Sequence, residues 1–245
     1  MSFRAPANVT IESSFNHIYS AKKWGDQGGG SGSGSSEFAG AGASRILYYV
    51  IMAFNVHSMI DAPCGAMVWQ RSLLQQLVEE PFVYHGIDVV HKIVQQNVQT
   101  FAGKWGHFRN NSRQHAGFRV SFSHANLAAP HWSAPRGYDM IFSRDALQHN
   151  KRADVWSILR AFAKSDAKLL LLGSYPDGST HCHEHRGINH EIRTGDFFCV
   201  DLALEPYNLK PSQIFREGTL DRKALYLYER ARVREALDAR RPAPK

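Results

Sequence analysis

The stretch Val56-His-Ser-Met-Ile-Asp-Ala-Pro-Cys-Gly65 decides the fold. Val56–Asp61 reads as a short apolar strand, and a Pro/Gly turn ends it. In Met67–Glu80, Leu73, Leu74, Leu77 and Val78 then fall on one face at helical spacing. Strand, tight turn and helix in that order open a βαβ unit. Open α/β sheets hold ligands at the carboxyl ends of their strands, so Asp61–Gly65 stands where a binding turn belongs.

The pattern repeats on both sides of this stretch. Ala43–Asn55 has helical periodicity through Ile46, Leu47, Val50, Ile51 and Phe54. Phe82–Asp88 is a second strand and His91–Phe101 a helix. Phe118–Phe122 is a third strand and Tyr138–Ser143 a fourth, with a helix over Asp154–Ala163 behind it. The fifth, Lys168–Ser174, centres on Leu169-Leu-Leu-Leu172, the continuous apolar run of a strand buried on both faces. Phe197–Leu204 and Ala224–Glu229 resemble a closing pair of strands with no helix between them. The expected fold is α/β: a Rossmann-like, seven-stranded, mostly parallel sheet with helices on both faces and an antiparallel edge strand.

A chain of 245 residues, 43% of them hydrophobic, suits one compact domain. The expected organisation is an N-terminal segment over 1–40, the main domain over 41–232 and a basic tail over 233–245. No run approaches the roughly 18 apolar residues of a membrane span, and the first residues lack an apolar signal core. A cytoplasmic protein is therefore expected. Three cysteines, Cys64, Cys182 and Cys199, without CxxC spacing argue against a disulfide framework and a four-thiolate zinc site. The net charge of +7 could attract nucleic acid. Much of it sits in the C-terminal arginines, however, and no aromatic-basic interleaving accompanies it.

The turns carry the chemistry. Gly65 lets the backbone approach a ligand, and Asp61 supplies an acceptor there. Asp88 ends the second strand, where an acidic side chain can accept from ribose hydroxyls, although capping and turn roles suit both carboxylates as well. A NAD-type fingerprint needs three glycines spaced G-x-G-x-x-G, and only Gly65 is present. A nucleoside sulfonium, with no diphosphate to cradle, suits this turn better. Gly28–Ser36 reads by composition as a flexible linker, or as a loop whose N–H groups wrap a polar ligand.

Taken in order, Trp24-Gly25, Ser31-Gly-Ser-Gly-Ser-Ser36, Asp61-Ala-Pro-Cys-Gly65 with Trp69, Tyr84-His-Gly-Ile-Asp88, and Tyr138-Asp-Met-Ile-Phe-Ser-Arg-Asp145 with Leu147-Gln-His149 resemble one branch of the class I S-adenosylmethionine-dependent methyltransferases. The resemblance spans about residues 15–210, and members of the branch include enzymes that methylate sugar hydroxyls on glycans. It implies S-adenosylmethionine as cofactor, with Asp61 and Gly65 at its amino-acid end and Asp88 on its ribose. The loop of Ser31, Gly32, Ser33, Gly34 and Ser35 would fold over its methionine portion. Trp24, Trp69 and Arg144 join the cofactor set, and Asn126 is the candidate for adenine.

If Asp145–His149 is helical, Asp145 and His149 share a face beside the methyl-transfer position. A sugar hydroxyl needs its proton removed as it attacks, so either side chain could be the catalytic base. The alternative is that Asp145 caps a helix and His149 packs on it. His181-Cys-His-Glu-His185, with His190 and Glu191, could be a metal site, a solvent-exposed loop or a substrate-binding lip. Its spacing matches no defined metal motif, so no metal is expected. The leading function is O-methylation of a sugar hydroxyl on a carbohydrate or glycoconjugate. Alternatives are methylation of a protein side chain, a small metabolite or RNA, or a non-catalytic binding module.

Overall fold

The computed structural model describes residues 10–106, 117–176, 187–218 and 223–240. Strands β1 (Ser58–Asp61), β2 (Val83–Asp88), β3 (Arg119–His124), β4 (Met140–Ser143), β5 (Leu169–Ser174), β6 (Gln213–Arg216) and β7 (Ala224–Glu229) form one sheet in the order β3-β2-β1-β4-β5-β7-β6. β1 pairs in parallel with both β2 and β4, so strand order reverses between β1 and β4. β7 runs antiparallel to β5, and β6 antiparallel to β7. The expected seven-stranded, mostly parallel sheet is present.

Helices α1 (Ile11–Ser20), α2 (Glu37–Ala53), α3 (Gln70–Leu77), α4 (His91–Gly106), α5 (Arg152–Lys164) and α6 (Arg230–Asp238) surround it. Alternation along the strands sorts the core into two clusters. Met59, Met140, Phe142, Leu171 and Leu227 pack with residues of α2, α3 and α4. Their neighbours Ile60, Ile141, Leu170, Leu172 and Tyr228 pack with residues of α5 and α6. The central strands are thus covered on both faces, as the leucine run of β5 implied.

Several boundaries differ from expectation. α2 starts at Glu37, because Ser36 caps it by accepting from the Ala39 N–H at 3.3 Å and Glu37 sits in the first turn. Its first turns carry small residues because the backbone runs close to its neighbours. A Cβ on Gly42 would lie 1.9 Å from the Glu217 carbonyl oxygen, and one on Gly40 would lie 2.2 Å from Trp69 Cγ. α3 starts only at Gln70, and Met67, with a φ of 56°, is not helical.

The strand expected over Phe197–Leu204 is absent. Residues 198–202 are buried, yet their backbone bonds go to loops: Phe198 N–H to the Gln148 carbonyl and Asn189 N–H to the Cys199 carbonyl. The sheet continues instead with β6, an edge strand exposed at Gln213, Ile214 and Arg216, which therefore lacks an apolar signature. Cys64 is a free thiol, whereas Cys199 is disulfide-bonded, a departure from the reading of the cysteines. α6 runs through residue 233 and buries Val233 and Leu237. Among the described residues no helix is long and apolar enough to cross a membrane.

Candidate active site

The carboxyl ends of β1, β2 and β4 open into a cleft of about 880 Å³, counting the space at its mouth. α1 and the Gly/Ser-rich loop contribute the rest of the wall. Of the residues singled out in the sequence, Trp24, Ser31, Ser35, Asp61, Gly65, Trp69, Asp88, Asn126, Arg144, Asp145 and His149 line it. Gly32, Ser33 and Gly34 lie in the same loop but do not line the cleft.

The turn after β1 is built for close approach. Gly65 has a φ of 56°, and a Cβ there would lie 2.9 Å from Ser31 Oγ. Ser31 Oγ accepts from the Ala66 N–H at 3.1 Å and pairs with the Tyr19 hydroxyl at 2.7 Å, tying loop, turn and α1 together. Asp88 accepts from the Gly65 N–H at 3.0 Å and the Val90 N–H at 2.8 Å. The first duty of Asp88 is therefore to hold the turn.

Asp61 is buried. Its Oδ2 accepts from the Tyr84 hydroxyl and from Gln70 Nε2 at 3.2 Å, while its Oδ1 has no hydrogen-bond partner. Burial pushes its carboxyl up to about 7, more than the bonds from Tyr84 and Gln70 lower it. Ser143 Oγ, at the end of β4, is also buried without a partner. Two unmet polar atoms in one cleft wall mark a place where a polar ligand would complete the bonding. Burial also pushes the Cys64 thiol well up, so it is not a thiolate nucleophile.

Asp145 and His149 do not share a helix face. Asp145 has a φ of 53°, which breaks any helix there, and only Leu147–His149 forms a short 3₁₀ turn. The Asp145 carboxylate is spent on Lys223 Nζ at 2.7 Å, Arg144 at 3.0 Å and Gln148 Nε2 at 3.0 Å. Burial alone would raise its carboxyl, but Arg144 and Lys223 hold it well below the usual carboxylate range. It neither caps a helix nor orients the imidazole.

His149 is held by the segment after β5. Its Nδ1 is 2.8 Å from the Asp196 carbonyl oxygen, which can only accept, so Nδ1 carries the hydrogen and Nε2 is left as acceptor. The Gly195 N–H donates to the His149 carbonyl at 2.8 Å, and the Phe198 N–H to the neighbouring Gln148 carbonyl at 3.1 Å. Trp24 lies against the imidazole at 4.5 Å between ring centres, and Phe197 at 5.8 Å. Burial lowers the His149 pKa, partly opposed by the Asp196 carbonyl and Asp145.

Arg144, 7% exposed, is tied to Glu217, donating through Nε at 2.9 Å and NH2 at 2.6 Å. Its NH1 donates to the Gly34 carbonyl at 2.9 Å and its NH2 to the Ala39 carbonyl at 3.3 Å. Trp69 is buried between Phe142 and the Arg144 guanidinium. Asn126 Oδ1 accepts from the Ala128 N–H at 3.0 Å, leaving its amide N–H groups for the cleft. His181–His185 lies outside the described residues. Glu191 bonds Arg152, and among the described residues no His/Cys/Asp/Glu cluster fits a metal.

Sequence reasoning missed Tyr19, Gln70, Tyr84, Asp196, Glu217 and Lys223. Tyr84 belongs to the second-strand motif, but the motif gives it no role of its own. Glu217 and Lys223 flank a turn with no periodicity, and a backbone carbonyl such as that of Asp196 leaves no mark in a sequence.

No protein-family model matches the chain, and no curated protein matches it. Solved structures do. Human N-acetylserotonin methyltransferase in complex with SAM is 12% identical, with a TM-score of 0.58 over 90% of this chain and 60% of that one. Magnesium protoporphyrin IX methyltransferase from Synechocystis PCC 6803 with bound SAM is also 12% identical, with a TM-score of 0.54 over 91% of this chain and 98% of that one. The S-adenosylmethionine-dependent methyltransferase SibL, in its apo form, is 13% identical, with a TM-score of 0.54 over 78% of this chain and 55% of that one. With the strand order β3-β2-β1-β4-β5-β7-β6, the chain has the Rossmann-like fold of the S-adenosylmethionine-dependent methyltransferases.

Proposed function

We propose that the chain is an S-adenosylmethionine-dependent methyltransferase that methylates a hydroxyl oxygen of a carbohydrate or glycoconjugate. The observation that carries this reading is the acceptor lone pair of His149 Nε2 in the same cleft as the Asp61–Gly65 turn.

The residues fit the cofactor. Asp61 Oδ1 is a buried acceptor without a partner, suited to an ammonium group, and Ser143 Oγ adds an unmet hydroxyl. Asp88, Asn126 and the Ser31–Ser35 loop supply the remaining polar surface for ribose, adenine and methionine. When bound, the cofactor supplies an activated methyl group on a sulfonium. The chain's own part is to hold the acceptor oxygen in line with that methyl and to take its proton at His149 Nε2. Nδ1–H donated to the Asp196 carbonyl fixes the tautomer this requires, and the lowered pKa of His149 keeps the ring neutral near pH 7. Asp145, locked between Arg144 and Lys223, is a poor proton acceptor, so the base role falls to His149 alone.

The surroundings of His149 favour a neutral, ring-shaped acceptor. Trp24 and Phe197 are its aromatic neighbours, and Phe15 packs edge-on against Trp24 in turn. The charged side chains of the described cleft wall are buried or already paired. An apolar wall beside a hydrogen-bonding base suits the face of a sugar better than a phosphate or carboxylate group.

The test is a panel of sugar, peptide and RNA acceptors assayed for release of S-adenosylhomocysteine. A hydroxylated carbohydrate should support release, and His149→Ala should slow it by about 10²–10⁴-fold while leaving cofactor affinity in place. Release with peptide or RNA alone would overturn the acceptor assignment. Full turnover in His149→Ala would overturn the base assignment.

A further inference from the structure

Four charged side chains meet beneath the Gly/Ser-rich loop and are not used by the chemistry proposed above. Arg144 and Asp145 come from the end of β4. Glu217 follows β6, and Lys223 precedes β7. Arg144 and Glu217 are 7% and 6% exposed, and their contact is two-pronged, through Nε and NH2. The guanidinium donors left over go to the Gly34 and Ala39 carbonyls, one in the loop and one in the first turn of α2. A Cβ on Gly34 would lie 2.7 Å from Lys223 Nζ and 2.8 Å from Asp145 Oδ2, so the loop is seated directly on the cluster. The Glu217 main chain meets α2 as well, at Gly42.

Stability alone is a weak reason for such a cluster. Taking two charges out of water costs energy that an apolar pair of similar size does not, and buried ion pairs often contribute little net stability. What the planar fork of arginine adds is direction. It can hold a carboxylate on one side and two backbone carbonyls on the other, which the single point charge of lysine cannot. The cluster therefore fixes where the loop lies. The same loop carries Ser31 and Ser35 to the wall of the cleft.

We propose that Arg144 and Glu217 are positioning residues that latch the Gly28–Ser36 loop over the cofactor end of the cleft. This rests on the cofactor reading given above. The pair touches no reacting atom. It serves the site by holding Ser31 against the Ala66 N–H and Tyr19, and by keeping Ser35 at the wall. The conformational cost of ordering a glycine-rich loop is then met before a ligand arrives, which tightens binding.

Two measurements on the full chain test the latch. Hydrogen exchange of residues 28–36 reads loop order without any ligand, and calorimetric titration with S-adenosylhomocysteine reads affinity. Glu217→Gln removes the charge pairing. Gly34→Ala keeps all four charged residues and crowds the Lys223 Nζ and Asp145 Oδ2 atoms on which the loop sits. In both, loop exchange should rise and affinity fall by roughly tenfold, the weight of about one charge-assisted hydrogen bond, with exchange in β1, β4 and β5 unchanged. In turnover assays the KM for cofactor should rise more than kcat falls, and Glu217→Asp should recover part of the loss. If Glu217→Gln does not fold, Gly34→Ala decides. Unchanged loop exchange, or a loosened loop with unchanged affinity, overturns the proposal. Failure of the wild-type protein to bind would instead overturn the cofactor reading, and loop exchange would still report whether the pair holds the loop.

Discussion

At His149 the two ring nitrogens have different partners. Nδ1–H is held by the Asp196 carbonyl, and Nε2 keeps its lone pair. His149→Ala should lower kcat by about 10²–10⁴-fold with little change in cofactor affinity, measured by turnover and titration. Because burial lowers its pKa, His149 stays neutral to a lower pH than an ordinary imidazole. The acid limb of kcat/KM should therefore bend below about 6.5, with a plateau above it. Asp145→Asn should act differently. Its carboxyl is depressed, so its stabilisation is present above the unfolded value near 4 and is lost as pH falls through the folded one. Breaking this buried pairing should cost about 3–5 kcal/mol at pH 7, and the gap in Tm from wild type should narrow below pH 4. The acid limb of kcat/KM should move to lower pH, because the Asp145 carboxylate helps hold the His149 pKa up. Asp61 has the opposite sign. Its folded pKa, raised to about 7, means that stability falls as pH rises from about 4 through 7, by up to roughly 4 kcal/mol. Asp61→Asn should therefore raise the ligand-free Tm at pH 8 while weakening cofactor binding, since strained binding groups are commonly kept at the expense of stability.

At the scale of elements, the closest approach joins α2 to the residue after β6. Gly42→Ala puts a methyl group where the Glu217 carbonyl oxygen stands, and overpacking of this kind costs about 1–3 kcal/mol. In a chain of this size the expected drop in Tm is several degrees, read by thermal denaturation. Elements that bury a periodic face were legible in the sequence. Leu73, Leu74 and Leu77 marked α3, and Leu169–Leu172 marked β5. The start of α2 was not, because Ala39, Gly40, Ala41 and Gly42 carry no periodic apolar signal. β6 exposes three of its four residues at the sheet edge, so no alternation marks it. Phe198, Val200 and Leu202 do alternate and are buried in the core beside α5, yet they join no strand. Burial and sheet membership leave the same trace in a sequence.

For the whole molecule, the turns at the ends of β1, β2 and β4 converge because strand order reverses there, and that convergence followed from the alternation of strand and helix alone. Which groups face a ligand did not follow. Arg144 and Asp145 were singled out as site residues, but their charges are spent on Glu217 and Lys223, which lie more than 70 positions away. The partners that decide the role of a charged residue come from tertiary structure, and neither spacing nor composition records them. The central claim is that this cleft binds S-adenosylmethionine for methyl transfer. Calorimetric titration of the wild-type protein with S-adenosylmethionine and S-adenosylhomocysteine tests it most directly. The account predicts saturable binding of both at one site per chain, weakened by Asp61→Asn; absence of heat from either compound would contradict it.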